Sequence, residues 1–366
     1  MKGSNTIDKK EISTILINAI VIKLFFTFPK RLMENAGNAA WIQMIYLTVA
    51  ACAVFLFISF MYRGCGSLSI IGLSEKIGGK SMKKTVGVLV SISLGLNLAS
   101  TMRSYPETVK MVLLPNTPLE LILIIFAVTV SVAALGGVEA IARIHSIFVP
   151  IVSVILTVFF VLLLYHAKIY NIFPILGKGT LNIFVKGIGS IDFFNDILIL
   201  NLLLPKIQNI KEAKRSGFTA IIVSGADMVF VLLLYCLIYP NPSSEKNLVP
   251  IYQLTRLVEV GDFFQRFEAF FEFVWSFSIL LYSSLYIWLI CDVWRESFDL
   301  EYEKPLIFPM MATVTILSFK LHTMHRLLFD DKFLSGFVSF ISFVLPVIIP
   351  VLYKIKMTKK GNEEII

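Results

Sequence analysis

Long, almost uncharged apolar runs govern what this chain can become. A helix needs about 20 residues to cross roughly 30 Å of hydrocarbon, and a core helix of a soluble protein seldom needs an apolar run of that length. Ten such runs are readable, at 12–29, 39–61, 84–103, 119–138, 144–166, 187–204, 218–239, 268–290, 305–321 and 334–353. Composition agrees: 57% of the 366 residues are hydrophobic and only 16% are charged, against about 25% charged in ordinary soluble domains. The expectation is an all-α integral membrane protein of about ten transmembrane helices, because a helix satisfies its own backbone polar groups in lipid.

The charges read as topology. The formal net charge of +8 resides mostly in short segments between apolar runs, which argues against a nucleic-acid partner. With the N-terminus in the cytoplasm, the inner segments hold 19 Lys and Arg and the outer segments 13, so both termini are expected inside. The first apolar run starts near Ile12 after a mixed-charge leader without a small-residue cleavage site, so no cleaved signal is expected. The expected layout is one polytopic domain: a cytoplasmic N-terminus at 1–11, a five-helix repeat at 12–166, a second at 187–353, and a cytoplasmic tail at 354–366. The loop between the seventh and eighth runs carries apolar positions at Leu254, Leu257 and Val258, which predict an amphipathic helix over 248–260 lying on the outer surface.

Irregular helices stand at matching places in the two halves. The first run contains Asn18, Lys23 and Thr27 and stops at Pro29. The sixth opens with Gly187-Ile188-Gly189-Ser190, continues with Asp192, Asn195 and Asp196, and stops at Pro205. Glycine weakens a helix and proline cannot continue its ladder. Paired interruptions of this kind point to a 5+5 inverted repeat, with helices 1 and 6 broken around a mid-membrane binding site.

Polar stripes support that site. Ser93, Asn97 and Thr101 share a face of the third helix, and Trp275, Ser278, Tyr282 and Tyr286 share one of the eighth; such stripes line a cavity or bond neighbouring helices. Lys23 and Asp227 are intramembrane charges, which are costly and mark function or pairing. Lys23 is expected to pair with a carboxylate of the protein or of a ligand. Asp227 reads as a proton site or a polar contact. Arg266, Glu268 and Glu272, at the mouth of the eighth helix, read as a structural network or part of a signal route.

Enzyme chemistry has no visible carrier. Gly78-Gly79-Lys80-Ser81 lacks the first glycine of a phosphate loop, because residue 74 is Ser74. His322 and His325 lack the Glu of a zinc-protease motif. Cys52, Cys65, Cys236 and Cys291 have no paired spacing. No cofactor and no metal are expected.

Several segments carry a family resemblance: Asn18 with Thr27-Phe28-Pro29; Leu114-Pro115-Asn116-Thr117-Pro118; Gly137-Val138-Glu139-Ala140-Ile141-Ala142-Arg143; and Val260-Gly261-Asp262-Phe263-Phe264-Gln265-Arg266-Phe267-Glu268-Ala269 with Trp275. In order and spacing the chain resembles the B subunit of bacterial spore germinant receptors, a branch of the amino acid–polyamine–organocation transporter superfamily. That resemblance implies a nutrient sensor of the spore inner membrane, working with a partly membrane-embedded A subunit and a lipoprotein C subunit. The ligand would be a small nutrient, often an amino acid. One departure stands out: Ile22, Lys23 and Leu24 occupy the stretch where the family has helix-breaking glycines.

The resulting expectation is a germinant-sensing subunit that binds its ligand between helices 1, 3, 6 and 8. Ile22, Lys23, Asn97, Gly189, Asp192, Ser278 and Tyr282 form the pocket. A ligand carboxylate would sit at a half-helix N-terminus near Gly189 and Ser190. The alternatives are a secondary amino-acid transporter driven by a proton or Na⁺ gradient, and a membrane scaffold with an inactive pocket.

Overall fold

The computed structural model describes residues 7–26, 28–207, 209–240, 250–257, 267–328 and 332–363. Helices α1 (Lys9–Val21) and α2 (Phe28–Ala36) are followed by α3 (Ala40–Met61), α4 (Ile70–Val112), α5 (Leu119–Ala134) and α6 (Gly137–Leu163). Then come α7 (Leu198–Leu203), α8 (Ile210–Ile238), α9 (Pro250–Thr255), α10 (Phe267–Ser297), α11 (Ile307–Leu328), α12 (Lys332–Ser339) and α13 (Leu345–Glu363). Among the described residues there is no strand.

Seven helical stretches among the described residues are long and apolar enough to cross a bilayer: 28–61, 70–112, 137–166, 180–206, 210–238, 271–297 and 335–358. The other expected spans also fall on helix. The first is divided between α1 and α2, the fourth is the 16-residue α5, and the ninth lies on α11. The third differs most from expectation. Instead of 84–103, α4 runs 43 residues with a kink at Gly78 and Gly79. Both glycines leave helical geometry and Gly79 has φ +67°, a backbone state that side chains strain against, so α4 is two helical segments, 70–77 and 80–112, that meet at a sharp turn. Its start is capped by Ser69, whose hydroxyl accepts from the Gly72 amide at 2.9 Å.

Burial separates an inner set of elements from an outer one. In α1, Ile12, Ile15, Leu16 and Ile20 are wholly enclosed, as is nearly every residue from Phe193 to Leu204 and from Leu281 to Val293. In contrast, α3, α5 and α6 turn Val49, Ile125, Ile147 and Val154 outward, each more than half exposed. Exposed apolar faces on long helices are lipid-facing surfaces, because hydrocarbon solvates them as well as a core does. Asp227 of α8 is also exposed, on the outside of the bundle and away from the enclosed elements.

Close approach of α8 to α3 depends on small residues. A side-chain carbon at Gly217 would lie 2.3 Å from the Phe55 ring. Hydrogen cannot be replaced there without separating the helices, the small-residue packing used by membrane bundles.

The start of α1 and the end of α13 lie at the same end of the bundle. The Ile7 amide donates to the Lys206 carbonyl at 2.9 Å, and Lys356 Nζ donates to the carbonyls of Lys76 and Ile77. Charges there are matched: Lys83 reaches Asp299 at 2.5 Å and Glu75 at 3.0 Å, and Arg295 Nη2 reaches Asp292 at 2.7 Å. A depressed carboxyl results at Asp299, where the Lys83 hydrogen bond holds the charged form.

At the opposite end, α9 differs from the amphipathic surface helix expected over 248–260. Its apolar side chains Ile251 and Leu254 are 1% and 0% exposed, so the helix plugs into the bundle. Residues 248–249 and 258–260 of that segment, the Val260–Arg266 part of the family-like motif and the side chains of Glu268, His322 and His325 lie outside the described residues.

Candidate ligand site at the helix breaks

Helix 1 breaks without glycine. After Val21 the chain tightens into a 3₁₀ turn over Ile22–Phe25, Phe26 is extended (φ −100°, ψ −152°), and α2 begins at Phe28. Helix 6 is irregular differently: a π turn over Asn182–Lys186 passes into an 11-residue 3₁₀ stretch, Gly187–Ile197, and then into α7. Runs of 3₁₀ longer than three or four residues are uncommon and mark strained or hinge-like places.

Lys23 joins the two irregular stretches. Its ammonium donates to the carbonyls of Asp192 at 3.1 Å and Phe193 at 2.9 Å, and it forms an ion pair with the Asp196 carboxylate. Asp196 is completely buried. Its Oδ1 also accepts from Tyr282 at 3.3 Å and from Tyr286. The Tyr282 and Tyr286 rings lie 4.4 Å apart, so α10 presents the two hydroxyls as a pair. A buried carboxylate is tolerable when it is both ion-paired and hydrogen-bonded, and Asp196 has both.

Asp192 is held separately. Arg31, one turn into α2, grips both carboxylate oxygens, with Nη1 to Oδ2 at 2.8 Å. Ser335 of α12 donates to Oδ2 at 3.1 Å. The guanidinium also lies over the Phe28 ring, 4.7 Å from its centre. A planar fork suits a carboxylate in this way.

Asn18 secures α1 on its other side. Its amide donates to the Ser278 carbonyl at 3.1 Å and lies 3.3 Å from His145 Nε2. His145 Nδ1 is 2.8 Å from the Ile141 carbonyl. Since a carbonyl only accepts, Nδ1 carries the proton and Nε2 accepts from Asn18, which uses both amide hydrogens.

The structure therefore brings together Lys23, Asp192 and Tyr282 around Asp196, while Ile22 is buried beside Lys23 in the 3₁₀ turn and Ser278 meets Asn18 through its backbone carbonyl instead. Asn97 is half-buried, and its carbonyl accepts the Thr101 hydroxyl at 3.1 Å; its side chain makes no hydrogen bond among the described residues. Gly189 is exposed, with no atom within 4 Å of where a side chain would begin. It stands apart from the cluster. Helical turns continue through residues 182–197, so there is no free helix N-terminus at Gly189 and Ser190.

Arg31 was absent from the expected site because it follows Pro29 in a stretch that reads as a loop. Asp196 was legible only as one of several polar residues near the sixth break. Glu272 read as a residue at a helix mouth, yet it is 2% exposed.

Beside this network, toward the end opposite the start of α1, lies a narrow cleft. Trp275 forms one wall, its ring packed against Phe25, Phe26 and Tyr105 with centres 5.3–5.8 Å away. Phe271, Glu272, Thr108 and Tyr252 complete the lining, and Ile251 of α9 covers it. The stripe expected on the eighth helix thus faces inward along its whole length, Trp275 at the cleft and the tyrosines at Asp196.

The sequence matches the family model described as spore germination protein over residues 6–326. The chain belongs to that family. Spore germination protein B2 of Bacillus subtilis (strain 168) is 25% identical over 276 residues, 72% of this chain and 71% of the relative. Spore germination protein GerQB of Bacillus cereus is 23% identical over 334 residues, 91% and 90% of the two chains. The fold is that of membrane transporters. MhsT in complex with L-phenylalanine superposes with a TM-score of 0.69 at 13% identity, covering 94% of this chain and 88% of that one. Mhp1, a nucleobase-cation-symport-1 transporter in a closed conformation with bromovinylhydantoin bound, gives 0.65 at 11% identity, covering 87% and 74%. A multi-pass membrane protein of the germination family, on a transporter fold with irregular helices 1 and 6, is the outcome.

Proposed function

We propose that this chain is the nutrient-sensing subunit of a spore germination receptor, in the spore inner membrane with both termini cytoplasmic. A small nutrient, amino-acid-like in its carboxylate, binds mid-membrane where Lys23 now holds Asp196. The supporting observation is that ion pair: one contact ties both irregular helices together, and its lysine suits any carboxylate that enters. A ligand acts only by favouring one conformation over another. Drawing Lys23 from Asp196 to a ligand carboxylate loosens helix 1 from helix 6, and α2 and α12 feel the change through Asp192. The altered arrangement is then read by the A and C subunits. The five-helix repeats at 12–166 and 187–353 supply the two bodies that shift.

The test uses purified protein in sealed liposomes with a pool of labelled amino acids, with and without a proton or Na⁺ gradient. Saturable binding near one ligand per chain without accumulation is expected, with binding lost in Lys23→Gln. Gradient-driven accumulation far above one ligand per chain would replace the sensor with a transporter.

A further inference from the structure

The cleft under α9 is chemically unlike the Lys23–Asp196 network. Glu272 is 2% exposed, and its Oε1 has no hydrogen-bond partner among the described residues. No Lys, Arg or His among the described residues forms an ion pair with it. The Trp275 Nε1 hydrogen also has no acceptor among the described residues, and Trp275 is 2% exposed. Both residues line the same cleft. They are three apart on α10, so they lie on one face. The Thr108 hydroxyl is committed elsewhere, donating to the Ser104 carbonyl at 3.0 Å.

A buried carboxylate without a partner is costly, and aromatic faces attract cations through their ring quadrupoles. Phe25, Phe271 and Trp275 line the cleft with Glu272. An ammonium group meets both demands at once. The unclaimed indole N–H adds a donor beside it, which suits an oxygen one or two carbons from the amine.

We propose that this cleft is a second ligand site, selective for a small aliphatic amine bearing an oxygen acceptor. Glu272 serves as counter-ion, Trp275 as hydrogen-bond donor and aromatic wall, and α9 as cover. Glu272 and Tyr282 are ten residues apart on one helix, about 15 Å along its axis. The amine site is therefore distinct from the carboxylate-binding position at Lys23 and stands whether or not that position binds a nutrient.

The experiment is a calorimetric titration of the purified full chain in nanodiscs at neutral pH. Ethanolamine is the probe, methylammonium lacks the oxygen, and ethylene glycol lacks the charge. Thermal unfolding of each variant confirms that it is folded. Saturable ethanolamine binding is expected, with methylammonium several-fold weaker and ethylene glycol silent. Glu272→Gln should weaken ethanolamine at least tenfold. Trp275→Phe, which keeps an aromatic face, should weaken ethanolamine toward the methylammonium level and leave methylammonium within about twofold. Asp299→Asn, at the far end of the bundle, should leave ethanolamine binding unchanged. Equal binding of ethanolamine by wild type and Glu272→Gln, or no binding by wild type, would overturn the proposal.

Discussion

Asp196 and Glu272 are the most deeply buried carboxylates among the described residues, and their surroundings differ. Asp196, in the irregular part of helix 6, meets Lys23, Tyr282 and Tyr286. Glu272, two to three turns away along α10, meets aromatic rings and no hydrogen-bond donor to Oε1 among the described residues. Both bear the cost of leaving water. At Asp196 the protein itself offsets that cost, and the reward is a link between two helices. At Glu272 the offset is left to something else, which separates a group that holds the fold from one that recognises a ligand.

The largest test of this contrast is Lys23→Met. Removing one member of a buried pair strands the other, at about 3–5 kcal/mol. Thermal or denaturant unfolding in detergent should show that loss, and Lys23→Met with Asp196→Leu should restore most of it. Failure of the double variant to recover would mean that Asp196 matters through the tyrosines. Next comes Tyr286→Phe, which deletes a hydrogen bond to a charged group and should cost about 1.5–3 kcal/mol in the same measurement. Glu272→Gln should cost no stability and should stabilise the empty protein, because it removes an unpaired buried charge. A loss of the size seen at Lys23 would erase the contrast.

The smallest effect concerns another carboxylate, Asp299, half exposed at the end where α1 starts. Lys83 holds its carboxyl below the ordinary carboxylate range. A depressed value means that its contribution is complete above the unfolded-state value near 3.9, and fades as pH falls through the lower folded value. Wild type and Asp299→Asn should therefore differ slightly at pH 7 and converge in acid, measured by thermal unfolding across that range. A gap that persists below pH 2 would assign the difference to packing.

Much of this architecture was legible beforehand, for identifiable reasons. Membrane helices announce themselves by run length, because lipid demands it over a fixed thickness. The Trp275, Ser278, Tyr282 and Tyr286 stripe was readable because polar groups at helical spacing share a face. The break in helix 1 was placed near Lys23 through Pro29 and the family likeness, although Gly189 proved less informative. That glycine lies on the exposed side of a 3₁₀ stretch, and glycine alone does not say which way a turn faces.

Partners were another matter. Asp192 and Asp196 are four residues apart and look equivalent as text. Only the packing of α2 and α10 assigns Arg31 to one and Lys23 with two tyrosines to the other. Likewise, the apolar positions of α9 suggested a membrane surface, and tertiary contact turned them inward to cover Trp275 and Glu272. Hydropathy and periodicity are local properties, so the chain by itself determined that helices form and cross the bilayer. Which charge meets which depends on long-range docking of helices far apart in sequence, and that only the tertiary structure decided.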